Sequence, residues 1–371
     1  MRVVEVHASG ERGGGAEHIA NLVPELARLG IELVAVVGPT GPLAARLTEA
    51  GVPVEPVDMM TARLDRAAVR SLGGKLRSLG ADLVHAHGTR SATYAVLARP
   101  AAPIVYTAHG LSYRRTGDPV GRLIRFGTEA VLCHRAAAVI TVSSTDLRDL
   151  RRRRVLRASK GVHIGNGIRL ERFAGGDRRA ARMRLGIDED AFVVGSVTRL
   201  VPEKAVADLV DAVLELPSAV LVVVGDGPLQ RDLVARAGPA GGRIRFVGSR
   251  DDVPDILPAF DVFALSSVWE GEPIALLEAM AAGLPCVATR TSGARELLEG
   301  GQLGILTKVG QPSEMASVIE TLRLDPDERE RLAQAARVSV EGRSWASVAA
   351  RVADVYTSVL ADDHGPSKLD G

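Results

Sequence analysis

Short runs of apolar, largely β-branched residues alternate along this chain with longer stretches patterned at helical spacing. The runs are Val3–Val6, Leu33–Val37, Leu83–His85, Ile104–Thr107, Val139–Val142, Val193–Val197, Leu221–Val224, Ile244–Val247, Val262–Leu265 and Cys286–Ala288. Helical patterns fall between most of them, such as Ala16–Leu29, Ala67–Leu79, Ala205–Glu215 and Pro273–Ala282. Strand, helix, strand repeated in this way predicts an α/β fold, a parallel sheet with helices on both faces. The runs are apolar rather than alternating, as expected of strands buried on both sides.

The repeats form two sets. The first ends near Val142, a polar and basic stretch from Asp146 to Arg182 follows, and the second set starts at Phe192. This predicts two doubly wound, Rossmann-like domains facing across a cleft, over 1–168 and 169–344, joined near residues 166–190. The last helical pattern, Trp345–Leu360, has no strand after it. A helix over 345–361 is therefore expected to pack back on the first domain, and the short polar tail 362–371 is expected to be flexible. In open parallel sheets ligands bind beyond the carboxyl ends of the strands, so the loops that follow strands are where chemistry is sought.

Composition adds bounds. A length of 371 residues suits two domains, and 46% hydrophobic with 25% charged residues is a globular balance. The net charge of +1 leaves no nucleic-acid footprint. The two cysteines, Cys133 and Cys286, sit in apolar surroundings and are expected to be buried thiols in a reducing, cytoplasmic setting. Met1–His7 reads as a strand rather than a signal peptide. The longest clean apolar run, Ala219–Val224, is far short of the roughly 20 residues a span needs, so membrane contact is expected to be peripheral at most.

The most informative segment is Ser266-Ser267-Val268-Trp269-Glu270-Gly271-Glu272-Pro273, running into Ile274-Ala275-Leu276-Leu277-Glu278-Ala279-Met280. Pro273 suits the first turn of a helix. Glu270 then lies on the loop before the helix and Glu278 inside it, too far apart for a tight dyad. They are placed to grip two ends of an extended ligand, one at sugar hydroxyls and one at a ribose, with the helix N-terminus as an anion site between them. In Gly195-Ser196-Val197-Thr198-Arg199-Leu200-Val201-Pro202-Glu203-Lys204, a strand end is followed by two cations. Arg199 and Lys204 suit a diphosphate and the charge that builds on it as a leaving group. No Asp-x-Asp motif follows a strand in the second half. Val224-Gly225-Asp226-Gly227-Pro228 is a further strand-to-helix turn whose glycines allow close approach to a ligand.

In the first half Gly13-Gly14-Gly15-Ala16-Glu17 opens a helix and can cradle phosphate, although it is neither a Gly-x-Gly-x-x-Gly fingerprint nor a P-loop. His85 and His87 share a strand face and are candidate metal ligands, with no matching carboxylate cluster in the sequence to support them. His109, in Tyr106-Thr107-Ala108-His109-Gly110, sits at a strand end and is the better candidate to touch substrate. Arg148, Arg151–Arg154 and Arg157 read as a solvated helix face; the alternative is contact with anionic lipid or a phosphate-bearing acceptor.

Taken together these segments resemble glycosyltransferase family 4, the retaining nucleotide-sugar transferases of the GT-B fold. The Glu270-to-Glu278 segment with Ala279–Pro285 resembles the family signature. Arg199 with Glu203-Lys204 resembles its phosphate loop, and Gly225-Asp226-Gly227-Pro228, Phe246-Val247-Gly248, Asn166-Gly167-Ile168 and Trp345…Tyr356 fit in order. The resemblance spans nearly the whole chain. It implies that Arg199 and Lys204 hold the donor diphosphate and that Glu278 binds ribose. Glu270, with Gly271, Pro273 and Ile274, would hold the sugar. His109 would line the sugar pocket from the acceptor-side domain, Gly14 and Gly15 would approach the phosphates, and the loop around Arg250 would lie near the base. The catalytic set implied is His109, Arg199, Lys204 and Glu270, with no metal, no protein nucleophile and no cofactor beyond the nucleotide-diphosphate sugar as co-substrate. The acceptor would be a sugar, a lipid-linked molecule or a small molecule in polysaccharide or glycolipid assembly, with acceptor specificity in the loops 58–66 and 111–123. Two positions depart from the pattern: Ala205 stands where the family carries glycine, with only a slight change of the loop expected, and Glu272 where it carries a large apolar residue, with either a change of donor preference or repulsion of a donor carrying a carboxylate, such as a uronic acid, expected. The alternatives are a nucleotide-sugar epimerase of the same architecture and an NAD(P)-dependent oxidoreductase. The missing dinucleotide fingerprint and the glutamate pair argue against the second.

Overall fold

The structure is a computed structural model that describes residues 1–62, 64–114 and 118–363, and every count below is of those residues. The chain divides into two compact units: Met1–Gly167 with the segment from Trp345 onward, and Ile168–Ser344.

The first unit carries strands β1 (Arg2–His7), β2 (Glu32–Val37), β3 (Val54–Pro56), β4 (Leu83–His87), β5 (Ile104–Ala108), β6 (Ala138–Thr141) and β7 (Gly161–His163). They pair in parallel in the order β3-β2-β1-β4-β5-β6-β7. Alternate residues serve opposite faces. Val4 and Val6 pack with Leu72, Leu76 and Tyr94 on one side. Val3, Leu33 and Ala35 pack on the other with Ile19, Leu22 and Leu26 of the helix Gly14–Arg28, and with Val348, Val352 and Tyr356 of the helix Trp345–Asp363. Burial on both faces is why these strands are apolar runs.

The second unit carries β8 (Phe192–Val197), β9 (Ala219–Val224), β10 (Ile244–Phe246), β11 (Val262–Leu265), β12 (Cys286–Thr289) and β13 (Ile305–Thr307), parallel in the order β10-β9-β8-β11-β12-β13. In each sheet the strand order reverses beside the first strand, between β1 and β4 and between β8 and β11. The loops leaving those strands therefore sit at a topological switch point, where this architecture binds ligands.

All ten apolar runs lie on strands, to within a residue or two at their ends. Three strands escaped the pattern: β3, β7 and β13. Each is an edge of its sheet and only three residues long, too short to write a clear apolar run. The basic stretch 146–182 holds β7 and the helix Arg178–Leu185. The terminal helix runs to Asp363, and the rest of the expected flexible tail lies outside the described residues, as do parts of the loops 58–66 and 111–123. Cys133 and Cys286 are free and buried. No helix among the described residues is long and apolar enough to cross a membrane.

Gly195 lies in the middle of β8, and a Cβ there would overlap the buried ring of Phe260. Overpacking of a core costs about 1–3 kcal/mol, so Gly195→Ala is expected to lower the melting temperature by roughly 3–10 °C in calorimetry. An unchanged melting temperature would contradict this packing.

Candidate functional site

In the second unit the site is built where β8 and β11 end. After β8 the chain runs through Thr198–Leu200 into the short turn Pro202–Lys204 and the helix Val206–Leu214. Gly225 and Gly227 have φ of +138° and +155°, and a Cβ on either would run into the backbone of Thr198 or Leu200. The glycines are thus required by the Arg199 loop lying against them; the Leu200 N–H donates to Asp226 O at 2.8 Å. That packing is a reason for glycine at both positions independent of any ligand. The Gly225 N–H in turn donates to Gly248 O at 2.8 Å, tying in the loop that carries Arg250, whose guanidinium pairs with Asp252 at 2.8 and 2.7 Å.

The loop after β11 is fastened to the one after β8. The Val268 N–H donates to Glu203 O at 2.9 Å and Ser266 Oγ to Lys204 O at 3.0 Å. Across this seam Lys204 Nζ pairs with Glu270 Oε1, which also accepts from Ser267 Oγ at 2.8 Å. Glu270 is held from behind by the helix Ser292–Leu297: Ser292 Oγ donates to Glu270 O at 3.0 Å, and only a glycine at 293 leaves room for the carbonyl of Gly271. Ser292 and Gly293 were not singled out from the sequence. Their signal is the Thr291-Ser292-Gly293 helix start that follows β12. Arg199 is 51% exposed and 4.0 Å from Glu203, so its guanidinium is open to an anion.

Gly271 and Pro273 are buried and lead into the helix Ile274–Ala281, whose N-terminus has no side-chain cap. Pro273 is the residue before the first helical position, one place earlier than the pattern predicts. Ile274 is buried, and Glu278 is half-buried in the middle of the helix. The Glu272 carboxylate is buried and pairs with Arg343 at 2.7 Å, so its charge is answered inside the unit. Ala205 is the other departure from the family pattern. Its φ of 44° and ψ of 42° are left-handed, a conformation that costs an L-residue about 1–2 kcal/mol, so alanine there is a real strain.

In the first unit Gly14 and Gly15 open the helix Gly14–Arg28, and His109 follows β5. A Cβ on Gly15 would lie 2.9 Å from His7 Cε1 and 3.8 Å from His109 Cδ2, so the glycine loop sits against the histidines. Beneath lies a buried polar network that the sequence reading missed. Glu5, on β1, accepts from Tyr356 Oη at 2.9 Å and from His87 Nε2 at 2.7 Å. Burial pushes the Glu5 carboxyl up, but His85 and His87 outweigh it and hold it well below the usual carboxylate range. His85 meets Tyr356 Oη through Nδ1 at 2.6 Å and Thr107 Oγ1 through Nε2 at 2.7 Å. Both its nitrogens are engaged, so His85 and His87 are not a metal-ligand pair, and the carboxylate absent from the local sequence is Glu5. Burial drives His18 down to about 4, and burial with neighbouring histidines drives His87 and His109 well below the usual imidazole value. The readable signal for Glu5 is a lone charge inside an apolar strand.

Residues 177–339 match the family of glycosyl transferases group 1, and residues 12–172 match glycosyltransferase family 4. The UDP-Gal:alpha-D-GlcNAc-diphosphoundecaprenol alpha-1,3-galactosyltransferase of Escherichia coli is 30% identical, over 66% of this chain and 67% of its own. The chain belongs to glycosyltransferase family 4. The lipopolysaccharide core biosynthesis glycosyltransferase LpsE of Rhizobium meliloti (strain 1021) is 29% identical to this family-4 chain over 97% of it and 99% of LpsE. The fold is that of Anabaena HepE, whose crystal structure holds UDP and glucose: the TM-score is 0.85 at 24% identity, covering 96% of this chain and all of the other. Both units therefore have the GT-B architecture, and membership of this family of nucleotide-sugar transferases sets aside the epimerase and oxidoreductase alternatives.

Relieving the left-handed strain gives a test of the Lys204 turn. Ala205→Gly is expected to stabilise the protein by about 1 kcal/mol, read from urea unfolding. A loss of stability would show that residue 205 is not left-handed.

Proposed function

We propose that this glycosyltransferase moves a hexosyl or related sugar, with retention and without a metal at the donor, from a nucleotide-diphosphate sugar to an acceptor in polysaccharide or glycolipid assembly. The observation that carries the reading is the Lys204–Glu270 pair at the seam of the two strand-end loops, with Arg199 open beside it. A diphosphate competes with Glu270 for Lys204. It takes a fork from Arg199 and a point charge from Lys204, and both stabilise the charge that develops on the departing β-phosphate. Glu270, released from Lys204, turns to sugar hydroxyls with the backbone of Gly271, Pro273 and Ile274, and Glu278 takes the ribose. Glu270 is shared between Lys204 and Ser267, which fits a binding group better than a nucleophile and favours a front-face route. His109 is the first-unit residue assigned to the transferred sugar, with Gly14 and Gly15 serving the phosphates. UDP-sugars are the donors to try first, since the E. coli relative is named for UDP-galactose and HepE was crystallised with UDP.

Lys204→Ala is expected to lower turnover with a UDP-sugar by roughly 10²–10³-fold in EDTA-containing buffer. Near-normal turnover would remove Lys204 from the mechanism. Wild-type turnover that needs added metal would remove the metal-free reading.

Peripheral membrane contact is part of the proposal, but its support has moved. In the arginine run, Arg151 is spent on the carbonyls of Ala158 and Gly161, and Arg153 on Asp149. The helix Pro119–Arg135 instead presents Val120, Leu123, Ile124 and Val131, which are 67%, 70%, 50% and 55% exposed. Their spacing puts them on one stripe, with the exposed Arg135 at its edge and the exposed Arg122 on the opposite side, which is the composition of an interfacial helix. Leu123→Glu is expected to cut co-sedimentation with phosphatidylglycerol vesicles severalfold. Equal sedimentation of the variant would remove the helix from the proposal.

A further inference from the structure

The first unit concentrates chemistry that the transfer reading uses at only one side chain. Five of the chain's eight histidines, His7, His18, His85, His87 and His109, gather around the ends of β1, β4 and β5 and the start of the helix Gly14–Arg28. Three of them point ring nitrogens at one another. His87 gives its Nε2–H to Glu5 Oε2 at 2.7 Å, which leaves a lone pair on Nδ1 of the neutral ring. That Nδ1 is 3.3 Å from His109 Nε2. His18 gives its Nδ1–H to Asn166 Oδ1 at 2.7 Å, because a carbonyl oxygen can only accept. The nitrogen left to His18 is Nε2, which is buried and has no hydrogen-bond partner among the described residues. One nitrogen from each of the three rings lies within 4.8 Å of the others.

We infer that His18, His87 and His109 form a binding site for a divalent transition ion of the zinc, cobalt and nickel class. Neutral imidazoles suit that class, whereas magnesium and calcium want oxygen ligands. Two imidazole nitrogens on a tetrahedral ion at about 2.0–2.1 Å are about 3.3 Å apart, which is the His87–His109 spacing. Leaving a buried acceptor without a partner is destabilising, and an ion satisfies the one on His18. The far nitrogens of His18 and His87 are already held, by Asn166 and Glu5. Such outer partners are what fix tautomer and orientation in metal-binding imidazoles. His109 is only partly buried, so a water or an anionic ligand oxygen completes the coordination. The neighbouring set Glu5, His85 and His87 is also close enough, but His85 has both nitrogens engaged and Glu5 is taken by Tyr356 and His87, so it is not the site.

The site shares His109 with the transfer reading but rests on none of the roles given to Arg199, Lys204 or Glu270. Its test reads metal, not sugar transfer, so either can fail alone. The full chain, stripped with EDTA and dialysed, is titrated with Co²⁺. One equivalent is expected to bind with the visible absorption of a four-coordinate imidazole site, and one equivalent of Zn²⁺ is expected to displace it. His18→Phe should weaken Co²⁺ binding at least tenfold, while His134→Gln, at an exposed position outside the cluster, should leave it unchanged. Should His18→Phe fail to fold, X-ray absorption on the zinc-loaded wild-type chain decides. Three imidazole nitrogens at about 2.0–2.1 Å support the site. Fewer than three imidazoles, or binding well below one equivalent, overturns it.

Discussion

A carboxylate buried in the middle of a parallel sheet must be answered by other groups or it will not stay charged. Glu5 is such a group, and its answer organises the first unit. Tyr356 reaches it from the last helix, His87 from the neighbouring strand, and His85 backs both. The apolar face beneath, with Val348, Val352 and Tyr356 packed against β1 and the helix Gly14–Arg28, brings that hydroxyl into reach. Removing one partner from such a network costs more than a hydrogen bond, because it leaves a buried charge uncompensated. His87 takes its tautomer from that carboxylate directly, and His85 through Tyr356.

The second unit solves a different problem. Two loops that must hold mobile cations near an anion are made rigid by backbone seams rather than by a core. The Val268–Glu203 and Leu200–Asp226 bonds and the glycines at 225, 227 and 293 let three chain segments lie in van der Waals contact. Side chains placed on such a base are preorganised, which is what charge stabilisation at a leaving group requires. The pairing of Lys204 with Glu270 means that a donor displaces one protein charge rather than entering an unpaired field.

What the sequence made legible follows burial. Most strands announced themselves as apolar runs, and the three-residue edge strands β3, β7 and β13 did not. Arg199, Lys204 and Glu270 stood out as charges on strand-end loops before helices, and Glu278 as a charge inside an otherwise apolar helix. Their partners did not stand out. Glu272 is answered by Arg343 and Glu5 by Tyr356, separations of 71 and 351 residues that no local pattern reports. The same holds for glycine: Gly225 and Gly227 are legible as turn residues, but what they make room for is a loop about 27 positions earlier.

The Glu5–Tyr356 bond spans nearly the whole chain, and this has a consequence for biosynthesis. The second unit, Ile168–Ser344, is complete before the last helix exists. At translation rates of about 5–20 residues per second, some 190 residues separate the end of the first unit's opening segment from Tyr356, a wait of roughly 10–40 seconds. During that time β1 carries a charged residue inside an apolar strand with no hydroxyl to receive it, and the face that will hold Trp345 and Val348 is bare. The first unit is thus the last to be finished.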